Sequence, residues 1–300
     1  MESPLLLMGQ HDRVSDDPIA RNRSVWEQVN ESFTGADAAR RWCEQDLSWG
    51  LFRIPESELG LLDDIRRTGA DPAGGTDESG GLAGLDVVEL GCGTAYVSAW
   101  LRRQGARPVA VDLSPAQLAS ARLCQREFGP WFPLVEADGE RVPLRDGCAD
   151  LVISEYGAGP WCDPDRWIPE AARLLRPGGG LVFLTNSPLA AMCVPEESGP
   201  AGPRLLRGRD EIRTVAWPGG GVEHHPTHGD WIAALTGAGF VVEALHELAP
   251  PAGSQDPEWY EIVTADWAGR WPAEDVWIAR LRWWDHPDRS MTRPRPDARM

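Results

Sequence analysis

Val-Val-Glu-Leu-Gly-Cys-Gly-Thr, residues 87–94, is the stretch that decides the fold. Its first half predicts a short buried strand. Gly91 and Gly93 predict a tight turn at which the backbone can approach a ligand, and residues 95–104 predict a helix whose amide end faces that turn. The next strand ends at Asp112, a carboxylate placed to accept hydrogen bonds from two ribose hydroxyls. The pattern therefore predicts a nucleoside-binding β-α-β unit.

Two residues argue against a dinucleotide as the ligand of this unit. A dinucleotide fold has a third glycine where this chain has Tyr96, because the helix must pack close beside the pyrophosphate. Glu89, directly before the turn, would repel a pyrophosphate. The ligand is therefore expected to carry a nucleoside without a phosphate.

The Glu-Leu-Gly-Cys-Gly-Thr motif resembles the first motif of class I S-adenosylmethionine-dependent methyltransferases. Companion motifs follow in the order of that family: residues 112–118 resemble its ribose-binding motif, 137–144 its adenine-contacting loop, 150–154 its fourth strand and 174–180 the turn before its fifth strand. Flanking segments across about residues 20–284 resemble a small-molecule group of the type 11 family. The resemblance implies S-adenosyl-L-methionine as cofactor and an α/β fold, a doubly wound, mostly parallel seven-stranded Rossmann-like sheet with an N-terminal helical cap.

The same resemblance assigns the cofactor contacts. Asp112 is expected to bind the ribose, and Asp138 with Gly139 to contact the adenine amine. Glu89 is expected near the methionine amino group, although an acid that only orders the turn remains an alternative. The expected cofactor residues are Glu89, Gly91, Gly93, Asp112, Leu113, Gln117, Asp138, Gly139 and Ser154.

The catalytic residues are harder to infer, because an activated methyl group needs mainly in-line approach, exclusion of water and, for some acceptors, a base. Three of the six histidines fall within five residues of each other, and an imidazole titrates near neutral pH. A loop-ordering role for these histidines stays open. The expected catalytic residues are His225, His228, Tyr156 and Glu155, and the expected acceptor-binding residues are Tyr156, Trp161, His224, Trp231 and Trp49.

The aromatic composition indicates the kind of acceptor. The chain has 15 Trp against 3 Tyr and 6 Phe. Most are expected in the core, but Trp residues around a pocket would favour a flat apolar or cationic acceptor. An aromatic specialised metabolite is therefore expected, and indole C3-methyltransferases are one resembling group. The methylated atom stays open, and a non-catalytic S-adenosylmethionine-binding regulatory or assembly protein remains an alternative.

Charge and composition exclude other partners. The formal net charge is -17, all 29 basic residues are Arg, and no basic run is present, so nucleic acid is disfavoured and an rRNA methyltransferase is a weaker alternative. Six dispersed cysteines indicate neither disulfides nor zinc, and no metal site is expected. No segment has the pattern of a signal peptide or a membrane span. We expect a cytoplasmic monomer or homodimer.

The chain is expected to be organised around one catalytic domain. Residues 186–228 are expected to form an insertion that lines the acceptor pocket, and residues 259–264 a last strand. The expected segments are a disordered N-terminus at 1–17, a helical cap at 18–68, a flexible Gly-rich linker at 69–84, the catalytic domain at 85–284 and a disordered tail at 285–300.

Overall fold

The structure is a computed structural model that describes residues 17–62, 65, 81–196, 199–217, 220–258 and 262–283. The expected disordered tail, nearly all of the expected disordered N-terminus and most of the expected linker lie outside the described residues.

A seven-stranded sheet forms the centre of the molecule. Its strands are β3 (Asp86–Leu90), β4 (Arg107–Asp112), β5 (Leu134–Glu136), β6 (Ala149–Glu155), β7 (Leu175–Asn186), β10 (Phe240–Leu248) and β11 (Glu274–Leu281). Their order across the sheet is β10-β11-β7-β6-β3-β4-β5. Only β11 runs antiparallel to its neighbours in this sheet. The expected mostly parallel, Rossmann-like sheet is confirmed.

Helices cover both faces of this sheet, and two short strand pairs lie outside it. The helices are α1 (Pro18–Val29), α2 (Gly35–Cys43), α3 (Glu56–Leu59), α4 (Tyr96–Arg103), α5 (Pro115–Phe128), α6 (Ala158–Trp161), α7 (Pro164–Leu174), α8 (Pro188–Cys193), α9 (His228–Gly237) and α10 (Ala265–Ala268), with a π-helical turn at Asn30–Thr34. The short pairs are β1 (Ser48–Trp49) with β2 (Ile54–Pro55), and β8 (Val215–Ala216) with β9 (Val222–Glu223). Among the described residues, no helix is long and apolar enough to cross a membrane.

Helix α5 shows how the sequence sets these elements. It begins at Pro115, whose fixed φ suits the first helical position, and the preceding Ser114 hydroxyl accepts the Gln117 amide at 3.3 Å. The helix thus starts directly after Asp112. The position of this helix start therefore determines where the chain turns after the end of β4.

The last strand corrects the sequence prediction. A strand was expected at 259–264, whereas the described part of that range, residues 262–264, is not a strand, and β11 lies at Glu274–Leu281. All residues of β11 but Arg280 are buried, because the strand sits between β7 and β10 with both faces covered. Such a strand lacks the apolar-polar alternation by which strands are recognised.

The N-terminal helices pack directly against the sheet domain. Trp42 of α2 stacks on Phe132 with ring centroids 5.8 Å apart, and its indole N–H donates to the Thr94 carbonyl at 2.7 Å. Trp49 is completely buried in the same core cluster as Val182 of β7. The cap is therefore joined to the sheet by a shared apolar core, and a hydrogen bond joins it to the glycine turn at residues 91–94.

Candidate active site

The carboxyl ends of β3, β4 and β6 border a cavity of about 440 Å³. Cavities of roughly 300–1,000 Å³ are typical of small-molecule sites, and this end of a parallel sheet is where ligands bind. The expected site residues that line the cavity are Gly91, Gly93, Asp112, Leu113, Gln117, Asp138, Gly139, Glu155, Tyr156 and Trp161.

Asp112 joins the end of β4 to the glycine turn. Its Oδ2 accepts the Gly93 amide at 2.7 Å and its Oδ1 accepts the Ser114 amide at 2.8 Å. Burial raises the pKa of Asp112 to about 6, against the lowering effect of these amides. The Leu113 amide also lowers this pKa as a hydrogen-bond donor. An ionised carboxylate offers about four acceptor positions, so these amides do not use up its capacity to accept from the ribose.

Two further acceptors fit a nucleoside ligand. Gln117 Oε1 is buried without a hydrogen-bond partner, while its Nε2 donates to Thr34 Oγ1 at 2.9 Å. The Asp138 Oδ1 atom accepts the Glu140 amide at 2.9 Å, which orients the carboxylate at the cavity wall. The buried Gln117 oxygen needs a donor, the partly buried Asp138 carboxylate can accept another, and ribose hydroxyls and an adenine amine are donors. The residues present therefore fit S-adenosylmethionine.

The glycine turn is shaped by close backbone contact as well as by the cavity. Gly91 has φ +68°, and a Cβ there would lie 2.5 Å from the Gly157 Cα. Only glycine permits both the left-handed backbone and this approach. The turn after β3 thus rests directly on the loop after β6, which brings Glu155 and Tyr156 beside the cofactor residues.

Glu89 and Ser154 were expected among the cofactor residues, but neither side chain lines the cavity, so for Glu89 the structure favours the alternative of an acid that orders the turn. Glu89 is buried and accepts hydrogen bonds from the backbone amide and the hydroxyl of Ser98 in α4. Burial raises the pKa of Glu89 to about 8, against these hydrogen bonds. Ser154 Oγ donates to the Leu90 carbonyl at 2.8 Å and accepts the Ala158 amide at 2.7 Å. Both side chains order the backbone around the turn.

His225 and His228 also lie away from the cavity lining. His225 is buried with its Nε2 2.8 Å from Glu223 Oε2, and His228 Nε2 lies 2.8 Å from Asp275 Oδ2. The hydrogen bond to Asp275 raises the pKa of His228. Neither imidazole reaches the cavity, and each is paired with a local acid, so the structure does not support the expected histidine base. None of the described residues in 186–228 lines the cavity either, so the structure does not place the expected insertion at the acceptor pocket.

Three expected acceptor-binding residues have structural positions instead. His224 lies with its Nδ1 3.2 Å from Thr214 Oγ1, and burial lowers its pKa. Trp231 is buried in the core under the sheet, and Trp49 is buried with its indole N–H donating to Glu56 at 2.8 Å. None of the three lines the cavity. Their side chains pack the fold, as expected for most Trp residues.

The cap and the loop at residues 254–258 supply further walls, from residues that the sequence analysis did not single out. The additional lining residues include Asn22, Trp26, Arg40, Arg41, Arg53 and residues 254–258. Trp26 meets Trp161 edge-to-face with ring centroids 5.1 Å apart. Asn22, which is 3% exposed, donates to the Trp161 carbonyl at 3.1 Å and therefore fixes this corner. The cap at 18–68 was expected, but the sequence did not indicate which of its residues would face the cavity.

Glu155 is the last residue of β6, and Tyr156 follows it, beside the cap. The Glu155 carboxylate accepts the Gly50 amide at 3.1 Å and the Tyr96 hydroxyl, and the Arg41 guanidinium lies 4.4 Å from the Tyr96 ring centroid. Tyr156 has φ +50°, which is unfavourable for an aromatic residue and requires support from its surroundings. The β6 terminus is thus held in a constrained position at the cavity.

Glu274 supplies part of that support, and the sequence analysis did not identify it. Its Oε1 accepts the Tyr156 hydroxyl at 2.7 Å and the Leu51 amide at 2.8 Å. Burial raises the pKa of Glu274 to about 7, against these hydrogen bonds, while the Glu155 charge raises it further. Consecutive cap residues, Gly50 and Leu51, therefore each donate an amide hydrogen bond to one of two acids, Glu155 and the buried Glu274.

In the part of the chain that the structure describes, two groups of side chains have ligand atoms close enough for a metal ion. Asp138, Glu140 and Cys162 form the first, beside the cofactor cavity, and His228, Glu247 and Asp275 form the second, outside it. In each group the ligand atoms lie within 4.8 Å of one another.

Comparison with known proteins agrees with this geometry. Residues 88–183 match a family model described as a methyltransferase domain. A malonyl-[acyl-carrier protein] O-methyltransferase from Pectobacterium atrosepticum is 39% identical over 104 residues, 34% of this chain and 39% of that protein. An uncharacterized methyltransferase from Mycobacterium bovis is 38% identical over 101 residues, 34% of this chain and 40% of that protein. The chain thus matches about two-fifths of the length of these curated relatives.

A solved structure extends the likeness beyond that region. The S-adenosylmethionine-dependent methyltransferase from Mesorhizobium loti is 27% identical with a TM-score of 0.52, over 66% of this chain and 92% of that chain. The motif match, the cavity and this likeness identify residues 88–183 as a methyltransferase domain within the fold of a class I S-adenosylmethionine-dependent methyltransferase, with S-adenosylmethionine as its cofactor.

Proposed function

We propose that this protein transfers the methyl group of S-adenosylmethionine to a small aromatic acceptor bound between Trp26, Trp161 and Tyr156. One observation carries the proposal: these three residues line the same cavity as Asp112 and the glycine turn. An acceptor in this aromatic corner, formed by Trp26, Trp161 and Tyr156, would therefore share one cavity with the cofactor. That proximity is the main requirement of methyl transfer.

The aromatic corner supports a flat acceptor. The planes of Trp26 and Trp161 are 79° apart, so a third ring can stack on one indole while its edge meets the other. Asn22 holds the corner through its bonds to the Trp161 carbonyl and to both the amide and the carbonyl of Val222. Indoles and phenols have the required shape.

Glu155 and Tyr156 are the proposed acid-base residues. The cofactor supplies an electrophilic methyl group, and the chain supplies positioning and a place for any proton that leaves the acceptor. The Glu155 carboxylate lines the cavity and is fixed by the Gly50 amide, so its orientation is set before an acceptor binds. Tyr156 is fixed in the same way through Glu274. The methylated atom can be nitrogen, oxygen or carbon within this geometry.

The substrate of the Pectobacterium relative is not transferred to this chain, because the match covers 39% of that protein. An RNA acceptor is disfavoured by the net charge of -17, which repels a polyanion. A malonyl thioester and an rRNA fragment therefore belong in the assay as competing acceptors, beside indoles and phenols.

The test is release of S-adenosylhomocysteine from S-adenosylmethionine across that panel, together with calorimetric binding of S-adenosylhomocysteine. We expect saturable binding and turnover with at least one indole or phenol. Binding without turnover on any acceptor would favour the alternative of a non-catalytic cofactor-binding protein. Turnover confined to the thioester or the RNA would overturn the proposed acceptor class.

A further inference from the structure

Three polar side chains are aligned across the antiparallel edge of the sheet, away from the cavity. Glu247 of β10 is the register partner of Asp275 of β11, and Asp275 is the partner of Thr185 of β7. Directly opposed residues point to the same face of a sheet. His228, the first residue of α9, covers this row with its Nε2 2.8 Å from Asp275 Oδ2.

The row of Glu247, Asp275 and Thr185 has two facing acids and two buried oxygen atoms without a hydrogen-bond partner. Two like charges directly opposite one another destabilise a strand pair. Asp275 is fully buried, and its Oδ1 has no hydrogen-bond partner. Thr185 Oγ1, on the neighbouring strand, is also buried without a partner. An unpaired buried acceptor typically costs about 1–3 kcal/mol, so the row calls for a positive group beyond the single contact that His228 makes.

We infer that His228, Glu247 and Asp275 bind a divalent transition-metal ion of the zinc type. Their ligand atoms, one imidazole nitrogen and two carboxylate oxygens, lie within 4.8 Å of one another. Tetrahedral zinc with bonds of about 2.0–2.2 Å holds its ligand atoms roughly 3.3–3.6 Å apart. The His228–Asp275 separation of 2.8 Å would have to lengthen to admit the ion. Such adjustment is available, because Glu247 is exposed and the His228 side chain is 38% exposed.

The donor set decides the class of ion. Magnesium and calcium prefer oxygen ligands only, whereas an imidazole with carboxylates suits zinc, cobalt and related ions. Three protein ligands leave a position for water. The ion would fasten the start of α9 to the β10–β11 edge. Since none of its three ligands lines the cavity, it would stabilise the fold without contacting the proposed reaction.

The test uses the full chain freed of metal by a chelator and titrated with Co²⁺ or Zn²⁺ above the ordinary imidazole pKa. We expect one Co²⁺ per chain with the visible absorption of a four-coordinate site, and a Zn²⁺-dependent rise in Tm. His228→Gln and Glu247→Gln should each weaken binding at least about tenfold and abolish the rise in Tm. Circular dichroism checks that both variants fold.

His246→Gln is the matched control, because His246 is an exposed imidazole adjacent to Glu247 on β10. It should bind Co²⁺ as the wild type does. Absence of binding by the wild type, unchanged binding by His228→Gln, or an equal loss in His246→Gln would overturn the inference. None of these outcomes depends on whether the protein transfers methyl groups.

Discussion

Asp112 Oδ2 and the Gly93 amide lie 2.7 Å apart, so the end of β4 is fastened to the turn that follows β3. The same carboxylate that is proposed to hold the ribose therefore also fixes the backbone against which the ribose would lie. Turn geometry and ligand binding are coupled at this one residue.

Replacement of Asp112 by alanine should greatly weaken cofactor binding. Asp112→Ala removes the acceptor for two ribose hydroxyls and leaves the Gly93 amide without its partner. The expected cost is roughly 2–4 kcal/mol, about 30- to 1,000-fold in Kd. Calorimetry with S-adenosylhomocysteine measures it. Glu136→Ala, at the exposed end of the adjacent strand β5, is the control and should bind normally. Equal affinities for both variants would contradict the ribose assignment.

Gly91→Ala should destabilise the fold more than a substitution with the same backbone strain elsewhere. Gly91 and Gly147 both have left-handed φ, +68° and +59°. A Cβ at Gly91 would lie 2.5 Å from the Gly157 Cα, whereas one at Gly147 would meet nothing within 4 Å. The left-handed backbone should lower the free energy of unfolding by about 1–2 kcal/mol in both variants. Gly91→Ala should lower it further because of the clash with Gly157.

Urea unfolding of the two glycine variants gives the comparison. A free energy of unfolding for Gly91→Ala that is equal to that of Gly147→Ala would show that the loop after β6 moves freely away from the turn. The constrained position of Tyr156 would then have another cause.

The motif region could be predicted from sequence because local order is sufficient there. A glycine turn, Asp112 and Asp138 each follow a strand in the family order, and parallel strands bring their carboxyl ends together. The histidines illustrate the opposite case, because their clustering along the chain says nothing about which face they meet. Glu274 was missed since it follows Pro272 in an irregular stretch far from any motif. Only the antiparallel insertion of β11 brings it to Tyr156.

The stability of the protein should depend on pH through Glu274. Its pKa is about 7 in the folded state against an ordinary value of 4.5. Between these values the native chain holds a proton that the unfolded chain has released, so the free energy of unfolding falls as pH rises through this window. The loss should approach roughly 3 kcal/mol at pH 8.

Glu274→Gln removes that titration while keeping an acceptor for the Leu51 amide. The variant and the wild type should have similar free energies of unfolding near pH 5, and the variant should become the more stable as pH rises. Urea unfolding across this range measures the difference. Parallel pH profiles for the two proteins would mean that Glu274 is already ionised in the native state. Glu136→Gln, an exposed acid, should leave the profile unchanged.

Trp161→Ala should weaken acceptor binding without changing cofactor affinity. Loss of one wall of the aromatic corner removes a stacking interaction on the order of 1 kcal/mol and also the apolar contact area that the acceptor buries against Trp161. We expect KM for an aromatic acceptor to rise about tenfold or more. Trp131→Ala is the control, because Trp131 is 64% exposed and does not line the cavity. A normal KM in Trp161→Ala would move the acceptor away from this corner.

Variants of Glu155 and His228 test most directly which residue acts as the base. Glu155→Gln keeps an oxygen for the Gly50 amide but cannot take a proton, so kcat should fall by about 10²–10⁴ while S-adenosylhomocysteine affinity is retained. His228→Gln should leave kcat unchanged, because His228 pairs with Asp275 outside the cavity. Single-turnover rates on the acceptor found in the panel measure both. Full activity in Glu155→Gln with a slow His228→Gln would place the acceptor near α9 and reverse the assignment. Full activity in both variants would leave proton removal to Tyr156 or to water, as expected for an acceptor that is methylated before it loses its proton.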